Sequence, residues 1–316
     1  MEQKTNKPLL SIILPAFNEE ENIGYAITTL NQVLEKEKID FEVIFVDDGS
    51  KDLTFAKIRE QSDASPIPDR IRGYRLSRNF GKEAAMWAGL NQVKGDCCVV
   101  MDCDLQHPPE AIPQMFGLWE EGFEVVEGIK VRGKESLLYK LFSGIFYRLI
   151  SSLSGFDMKS SSDFKLLDKR VIDELLSLNE RNAFFRGLSF WVGFRSTKIE
   201  YQVGVRKHSM SKWNFAGLFK YGLNNIVGFT TAPLQIVTFI GVLLTIASII
   251  LGIQTLVNFL MGHSLAGFPT VILLLLLIGG GLMISLGIIG LYIAKIYDEV
   301  KGRPRYIISE STKKEI

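Results

Sequence analysis

Two long stretches without a charged side chain constrain this chain more than any other feature. From Ala232 to Gly262, and again from Ser264 to Ala294, there is no Asp, Glu, Lys or Arg. Each exceeds the roughly 20 apolar residues that carry a helix across a bilayer, so two transmembrane helices are expected. Their position late in the chain excludes a signal peptide. They also account for a hydrophobic content of 47% and a mean hydropathy of +0.16, both high for a wholly soluble protein.

Charge is distributed to match. Arg206, Lys207, Lys212 and Lys220 precede the first span, and Lys295, Lys301, Arg303, Arg305, Lys313 and Lys314 follow the second. The loop at residues 263–267 carries neither Lys nor Arg, so the positive-inside rule puts both termini in the cytoplasm. A net charge of +1 with no long basic stripe argues against a nucleic-acid partner. The three cysteines, Cys97, Cys98 and Cys103, lack metal-ligand spacing and are expected as small buried side chains in a reducing compartment.

The first two-thirds of the chain alternates strand-like and helix-like segments, the pattern of a mostly parallel α/β sheet. Strands are expected at residues 9–14, 41–46, 71–76, 96–101 and 123–128. Helices are expected at 20–36, from 53 onward, at 81–93 and after Pro108, with Ile23, Ile27, Leu30 and Leu34 on one face of the first. Residues 135–153 carry a wide apolar stripe that suits either a bilayer surface or the protein's own core. Residues 213–229, directly before the first span, read as an interfacial amphipathic helix.

The apolar run Cys97-Cys98-Val99-Val100-Met101 reads as a buried central strand that delivers Asp102-Cys103-Asp104-Leu105-Gln106 at its carboxyl end. Open α/β sheets bind their ligands at that edge. Two hard oxygen ligands one residue apart suit Mg²⁺ or Mn²⁺ holding a diphosphate. Asp47, which ends a second strand, and the turn at Asn18 and Glu19 belong to the same edge. Clustered acids repel one another unless a cation joins them. Gly81 and Lys82 stand at an expected helix start, a favourable place for an anion.

Four segments together resemble the signature series of family-2 glycosyltransferases with the GT-A fold. They are Pro15-Ala16-Phe17-Asn18-Glu19-Glu20, Val46-Asp47-Asp48-Gly49-Ser50, Arg78-Asn79-Phe80-Gly81-Lys82, and Met101-Asp102-Cys103-Asp104-Leu105-Gln106-His107-Pro108-Pro109-Glu110. With two C-terminal spans, the series is similar to the polyisoprenyl-phosphate glycosyltransferases, among them bactoprenol glucosyltransferases and dolichol-phosphate mannose synthases. The similarity covers nearly the whole chain. It implies a Rossmann-like GT-A catalytic domain at residues 1–205 and a basic loop with a juxtamembrane amphipathic helix at 206–231. A transmembrane hairpin at 232–296 and a cytoplasmic basic tail at 297–316 complete it.

The resemblance also implies a site. Pro15, Asn18, Glu19 and Asp47 would form the nucleotide pocket, joined by Gly81, Lys82, Asp102 and Gln106 around the nucleotide sugar. Asp102, Asp104 and Gln106 would meet Mg²⁺ or Mn²⁺ and the diphosphate. Asp104 and Asp163 are the implied catalytic residues, with Asp163 orienting the acceptor or acting as a base. Arg206, Ser211 and Lys212, with Arg132 and Arg148, would meet the acceptor phosphate. Ser209 and Met210 stand where a glycine and a small or acidic residue are more usual, which alters the backbone path of that loop. The block at 184–194 reads as apolar packing that closes the sugar pocket, with Trp191 either a core residue or a sugar platform.

The implied reaction is an inverting transfer of one sugar from a UDP-sugar, UDP-glucose or UDP-GlcNAc, to a polyprenyl phosphate such as undecaprenyl phosphate. It would run on the cytoplasmic membrane face, with a separate flippase and a downstream glycosyltransferase consuming the product for cell-envelope glycosylation. A processive polysaccharide synthase is disfavoured by the lack of a Gln-x-x-Arg-Trp motif and by having only two spans. A non-catalytic membrane scaffold is disfavoured because Asp102, Asp104 and Gln106 are all kept. Gly279 to Gly281, Gly287 and Gly290 in the second span permit close helix contact, within the chain or in a homo-oligomer.

Overall fold

A computed structural model describes residues 7–130, 162–178, 180, 184–202, 231–262 and 268–312. The chain forms two compact units, residues 1–212 together with 303–316, and residues 213–302. The expected amphipathic segments at 135–153 and 213–229 lie outside the described residues, as do Arg132, Arg148, Arg206, Ser211 and Lys212.

The larger unit is built on one eight-stranded sheet. Its strands are β1 (Leu9–Ala16), β2 (Asp40–Asp47), β3 (Ile71–Leu76), β4 (Cys97–Val100), β5 (Val125–Lys130), β6 (Lys165–Asp168), β7 (Ser196–Tyr201) and β8 (Ile308–Ser311). They lie in the order β7-β5-β6-β4-β1-β2-β3-β8. The pairs β1/β2, β1/β4, β2/β3 and β5/β7 are parallel, and β6 and β8 run antiparallel to their neighbours. The sheet is thus mixed and mostly parallel at its centre, as the sequence pattern requires.

Continuous apolar runs explain the central strands. Leu10, Ile12, Ile13 and Leu14 of β1 and all four residues of β4 are buried, because crossover helices cover both faces of a parallel sheet. Those helices are α1 (Ile23–Lys36), α2 (Thr54–Ala64), α3 (Lys82–Leu90) and α4 (Ile112–Glu120), the last entered through a 3₁₀ turn at Pro109–Ala111. The buried face of α1 carries Ile23, Ala26, Ile27, Leu30 and Leu34, the stripe legible in the sequence. After β6 come α5 (Lys169–Ser177), capped by the Asp168 carboxylate on the Arg170 N–H, and α6 (Phe185–Trp191).

The topology positions the site. From β1 the chain winds outward through β2 and β3, then returns to place β4 on the other side of β1. A crevice opens where that winding reverses, at the carboxyl ends of β1 and β4. The three cysteines are free and buried, as expected.

The sequence reading leaves residues 297–316 as a basic tail without an element. The structure places β8 there, paired with β3 through Tyr74 opposite Ser311 and Arg75 opposite Glu310. The second unit holds α7 (Ala232–Leu260) and α8 (Phe268–Val300). Pro233–Asn258 and Leu277–Val300 are long and apolar enough to cross a membrane, and neither is buried inside the protein. Large apolar side chains such as Ile249, Leu256, Leu275 and Met283 face outward, a surface suited to lipid. Of the five glycines noted in the second span, only Gly281 has a neighbour, Leu244 of α7, near the place a Cβ would occupy.

Candidate active site

The crevice at the switch point is a cleft of about 300 Å³. Pro15, Phe17 and Glu19 line it from the end of β1, Asp102 and Asp104 from the end of β4, and Gly81 and Lys82 from the start of α3. Asp48 closes it from the turn after β2. Six of the sequence-derived residues therefore converge, the aspartate pair Asp102 and Asp104 with Pro15, Glu19, Gly81 and Lys82.

Four others do not line it: Asp47, Asn18, Gln106 and Asp163, the last of which meets Lys82 behind the cleft wall. Asp47, the last residue of β2, is fully buried; its Oδ1 accepts the Ser50 N–H at 2.9 Å, and Arg75 Nε lies 3.3 Å from its Oδ2. Asn18 bridges two turns, accepting from the Lys51 N–H at 3.0 Å while its own N–H donates to Ser50 Oγ at 2.9 Å. Gln106 gives its backbone N–H to Asp104 Oδ1 at 3.1 Å, and its buried Nε2 has no hydrogen-bond partner among the described residues. Asp48, the neighbour of Asp47, is the carboxylate that reaches the cleft. It accepts from the N–H groups of Phe80 at 2.7 Å and Gly81 at 2.9 Å, fastening the loop before α3 to the end of β2. Gly49 makes this fit possible: its φ is +67°, and a Cβ there would lie 2.5 Å from the carbonyl carbon of Arg78.

The backbone is unusual at the same place. Of four non-glycine residues with positive φ among those described, Asn18 (55°) and Leu105 (53°) sit in the two turns that carry the acids. Asn tolerates this region; Leu does not without support. Support comes from His107, whose Nδ1 accepts the Asp102 N–H at 3.1 Å and whose ring stacks on Phe164 at 4.9 Å with a 4° interplanar angle. Burial depresses the His107 pKa, although Asp102 opposes this, so the ring stays neutral and able to accept.

A charged network runs from the cleft wall inward, beginning at Lys82 and Asp102. Lys82 Nζ lies 2.5 Å from Asp102 Oδ1 and 2.9 Å from Asp163 Oδ2. Arg186, on α6, grips the other side of Asp163 with Nε at 2.6 Å from Oδ1 and Nη2 at 2.9 Å from Oδ2. Burial disfavours the charged forms of Asp163 and Lys82 alike. The ion pairs outweigh it, holding Asp163 far below the ordinary carboxylate range and Lys82 above the ordinary lysine range. Beside them Glu83 accepts the Phe185 N–H at 2.9 Å, and burial together with the Asp163 charge pushes its carboxyl up to about 7.

Arg186, Asp48 and Glu83 carry no role in the sequence reading. Arg186 is a lone charge in the apolar block at 184–194, and such an isolated arginine is the only signal of its task. Within that block Phe184, Phe185 and Leu188 are buried, whereas Trp191 is 65% exposed and so is not a core residue.

The acidic rim suits a hard divalent cation. Burial raises the Glu19 pKa, and the Asp104 and Asp102 charges raise it further against the opposing Asn22 hydrogen bond, so three carboxyl groups feel one another. Among the described residues no three His, Cys, Asp or Glu side chains close into a cage. Two carboxylates in an open cleft fit Mg²⁺ or Mn²⁺, which commonly take one or two protein carboxylates and fill the remaining positions with water and substrate phosphate oxygens.

A cleft at a sheet switch point, rimmed by acids with Lys82 among them, is the ligand-binding place of an α/β enzyme. Residues 11–176 match the family described as Glycosyl transferase family 2, and the chain belongs to that family as a glycosyltransferase. It is 38% identical over 309 residues to "Putative glycosyltransferase CsbB" of Bacillus subtilis (strain 168), covering 96% of this chain and 92% of the relative. It is 34% identical to the "SfII prophage-derived bactoprenol glucosyl transferase" of Shigella flexneri, covering 96% and 98%. Among solved structures, the mannosyl-3-phosphoglycerate synthase from Rubrobacter xylanophilus matches 70% of this chain and 73% of its own, at 17% identity and a TM-score of 0.48.

Proposed function

We propose that this glycosyltransferase moves one sugar from a UDP-sugar, UDP-glucose or UDP-GlcNAc, to a polyprenyl phosphate such as undecaprenyl phosphate. The observation that carries the reading is similarity to bactoprenol glucosyl transferases along 96% of the chain, membrane helices included. The reaction lies on the cytoplasmic face, in line with the lysines and arginines that flank the two spans. A flippase and a second glycosyltransferase would handle the product, and a homo-oligomer is compatible with the glycines of α8.

In this scheme an oxygen of the lipid phosphate attacks the anomeric carbon, the bond from that carbon to the UDP oxygen breaks, and the centre inverts. The acceptor oxygen is already anionic at neutral pH, so no group need remove a proton. Asp163 suits such a reaction: a carboxylate held ionised by Lys82 and Arg186 is a poor base and a good fixed charge, which favours its orienting role. Lys82 sets a cation beside Asp102 in the cleft where the diphosphate would lie. Asp102 and Asp104 would hold Mg²⁺ or Mn²⁺, which when bound supplies charge to stabilise the departing diphosphate. Lys212, Ser211 and Arg206, with Arg132 and Arg148, remain the proposed acceptor-phosphate contacts.

Purified protein should bind UDP measurably by calorimetry in the presence of Mn²⁺, and more weakly once the ion is chelated. No UDP binding in either condition would remove the donor site from this proposal.

A further inference from the structure

The donor cleft is formed by residues from the first third of the chain, yet the segment that follows the second apolar helix braces its walls. Only residues 301–304 separate the end of α8 from Arg305. Three contacts from this short segment reach the elements that line the cleft.

The first is on α3. The Arg305 guanidinium lies 4.5 Å from the ring centroid of buried Trp87 and donates to the Leu178 carbonyl, and the Tyr306 hydroxyl accepts from Asn91 Nδ2 at 2.7 Å. The second is on the loop before α3: the Ile307 carbonyl accepts the Ser77 N–H at 2.9 Å, one residue ahead of Arg78-Asn79-Phe80-Gly81. The third runs through β8. Glu310 Oε1 meets Arg75 Nη1 at 3.1 Å, while its Oε2 meets Arg59 Nη2, also at 3.1 Å.

Arg75 relays the third contact inward. Its Nη2 donates to the Ser50 carbonyl at 3.0 Å, and its Nε lies 3.3 Å from Asp47. Ser50 is the residue whose hydroxyl accepts the Asn18 N–H, so one guanidinium links β8 to the turn after β2 and, through it, to the turn after β1. Both turns rim the cleft through Asp48, Phe17 and Glu19. The sheet itself could end at β3; what β8 adds is a fixed carboxylate opposite Arg75.

From this we infer that Glu310, acting through Arg75, is a positioning residue for the nucleotide-sugar site, and that the segment Arg305 to Thr312 is part of the donor-binding machinery. Four groups surround the Arg75 guanidinium: Glu310, the Ser50 carbonyl, Asp47 and the Phe55 ring 5.8 Å from it; without Glu310 the inner contacts remain but the outer edge loses the carboxylate that fixes its angle against Ser50. The inference rests on the reading of the cleft as a UDP-sugar site.

The test uses the full-length protein in detergent or nanodiscs. Glu310→Lys sets a like charge against Arg75 and Arg59, and Glu310→Gln keeps the acceptor oxygen. Exposed ion pairs are worth up to about 1 kcal/mol, which corresponds to roughly fivefold in affinity. Glu310→Lys should therefore weaken UDP binding and raise the donor KM by about threefold to fivefold, leaving the acceptor KM unchanged. Amide exchange should quicken at residues 47–51 and 77–81, and Glu310→Gln should fall between the variant and the wild type. A purely structural role would instead lower the active fraction, leaving both KM values unchanged. If Glu310→Lys does not fold, Glu310→Gln with the same readouts decides alone. Unchanged UDP affinity and donor KM would overturn the inference, whereas failure of the wild type to bind UDP would count against the donor-site reading instead.

Discussion

At the scale of single residues the site is a balance of charges more than a set of independent groups. Asp163 is ionised because Lys82 and Arg186 hold it, and that same negative charge helps keep Glu83 protonated. Glu83 gives a pH signature. Its carboxyl is raised to about 7 in the fold and ionises near 4.5 in an unfolded chain, so between those values the folded protein binds more protons. Stability should therefore fall as pH rises from about 4.5 to about 7. Glu83→Gln, which keeps an acceptor for the Phe185 N–H, should flatten that slope in thermal melts taken across the range; a slope equal to the wild type's would refute the assignment. The aspartate pair at 102 and 104 was legible because short polar residues follow an apolar run, Glu19 because its turn ends another, and Lys82 because it stands at an expected helix start. The choice between Asp47 and Asp48 was not. Adjacent residues at a strand end point to opposite sides, and only the pairing register, with Ala16 opposite Asp47, decides which one enters the cleft. Arg186 was hidden for a related reason: its partner Asp163 is 23 positions away, in the loop before β6.

At the scale of elements, the strands β1 to β4 were readable to within one or two residues: β1 and β4 are nearly all apolar, and β2 and β3 are β-rich segments bounded by turn residues, all four largely buried. The strands β6, β7 and β8 were not. β6 and β8 have four residues each, and β7 is an edge strand whose side chains are mostly polar, so neither length nor periodicity announces them. The turn between β2 and α2 shows how elements meet at the site. Gly49 adopts a left-handed φ while the Arg78 backbone rests against it. Gly49→Ala adds both strain and a clash with main-chain atoms that cannot rotate away. It should cost about 1 to 3 kcal/mol in chemical denaturation and weaken UDP binding more than any change on the outer face of α1. Wild-type stability and UDP affinity in this variant would show that the turn is more pliable than its geometry implies.

At the scale of the whole molecule, sequence hydropathy alone found the two helices that are long and apolar enough to cross a membrane. It did not reveal that the chain re-enters the catalytic sheet after the second helix, because a four-residue strand pairs with β3 across more than 230 positions. The proposed division of labour joins two readings: a cleft that would hold a nucleotide sugar, and two apolar helices that would keep the enzyme where a lipid phosphate is found. The decisive measurement is transfer itself. Membranes containing the protein are supplied with radiolabelled UDP-glucose or UDP-GlcNAc, polyprenyl phosphate and Mn²⁺, then extracted with organic solvent. Label should enter the lipid phase with one of the donors, require both added polyprenyl phosphate and the divalent ion, and fall by about a hundredfold or more in Asp104→Ala, as expected when several kcal/mol of charge stabilisation is lost. Lipid labelling by Asp104→Ala at the wild-type rate, or label that enters polymer and never lipid, would contradict the assignment of this chain as a metal-assisted polyprenyl-phosphate glycosyltransferase.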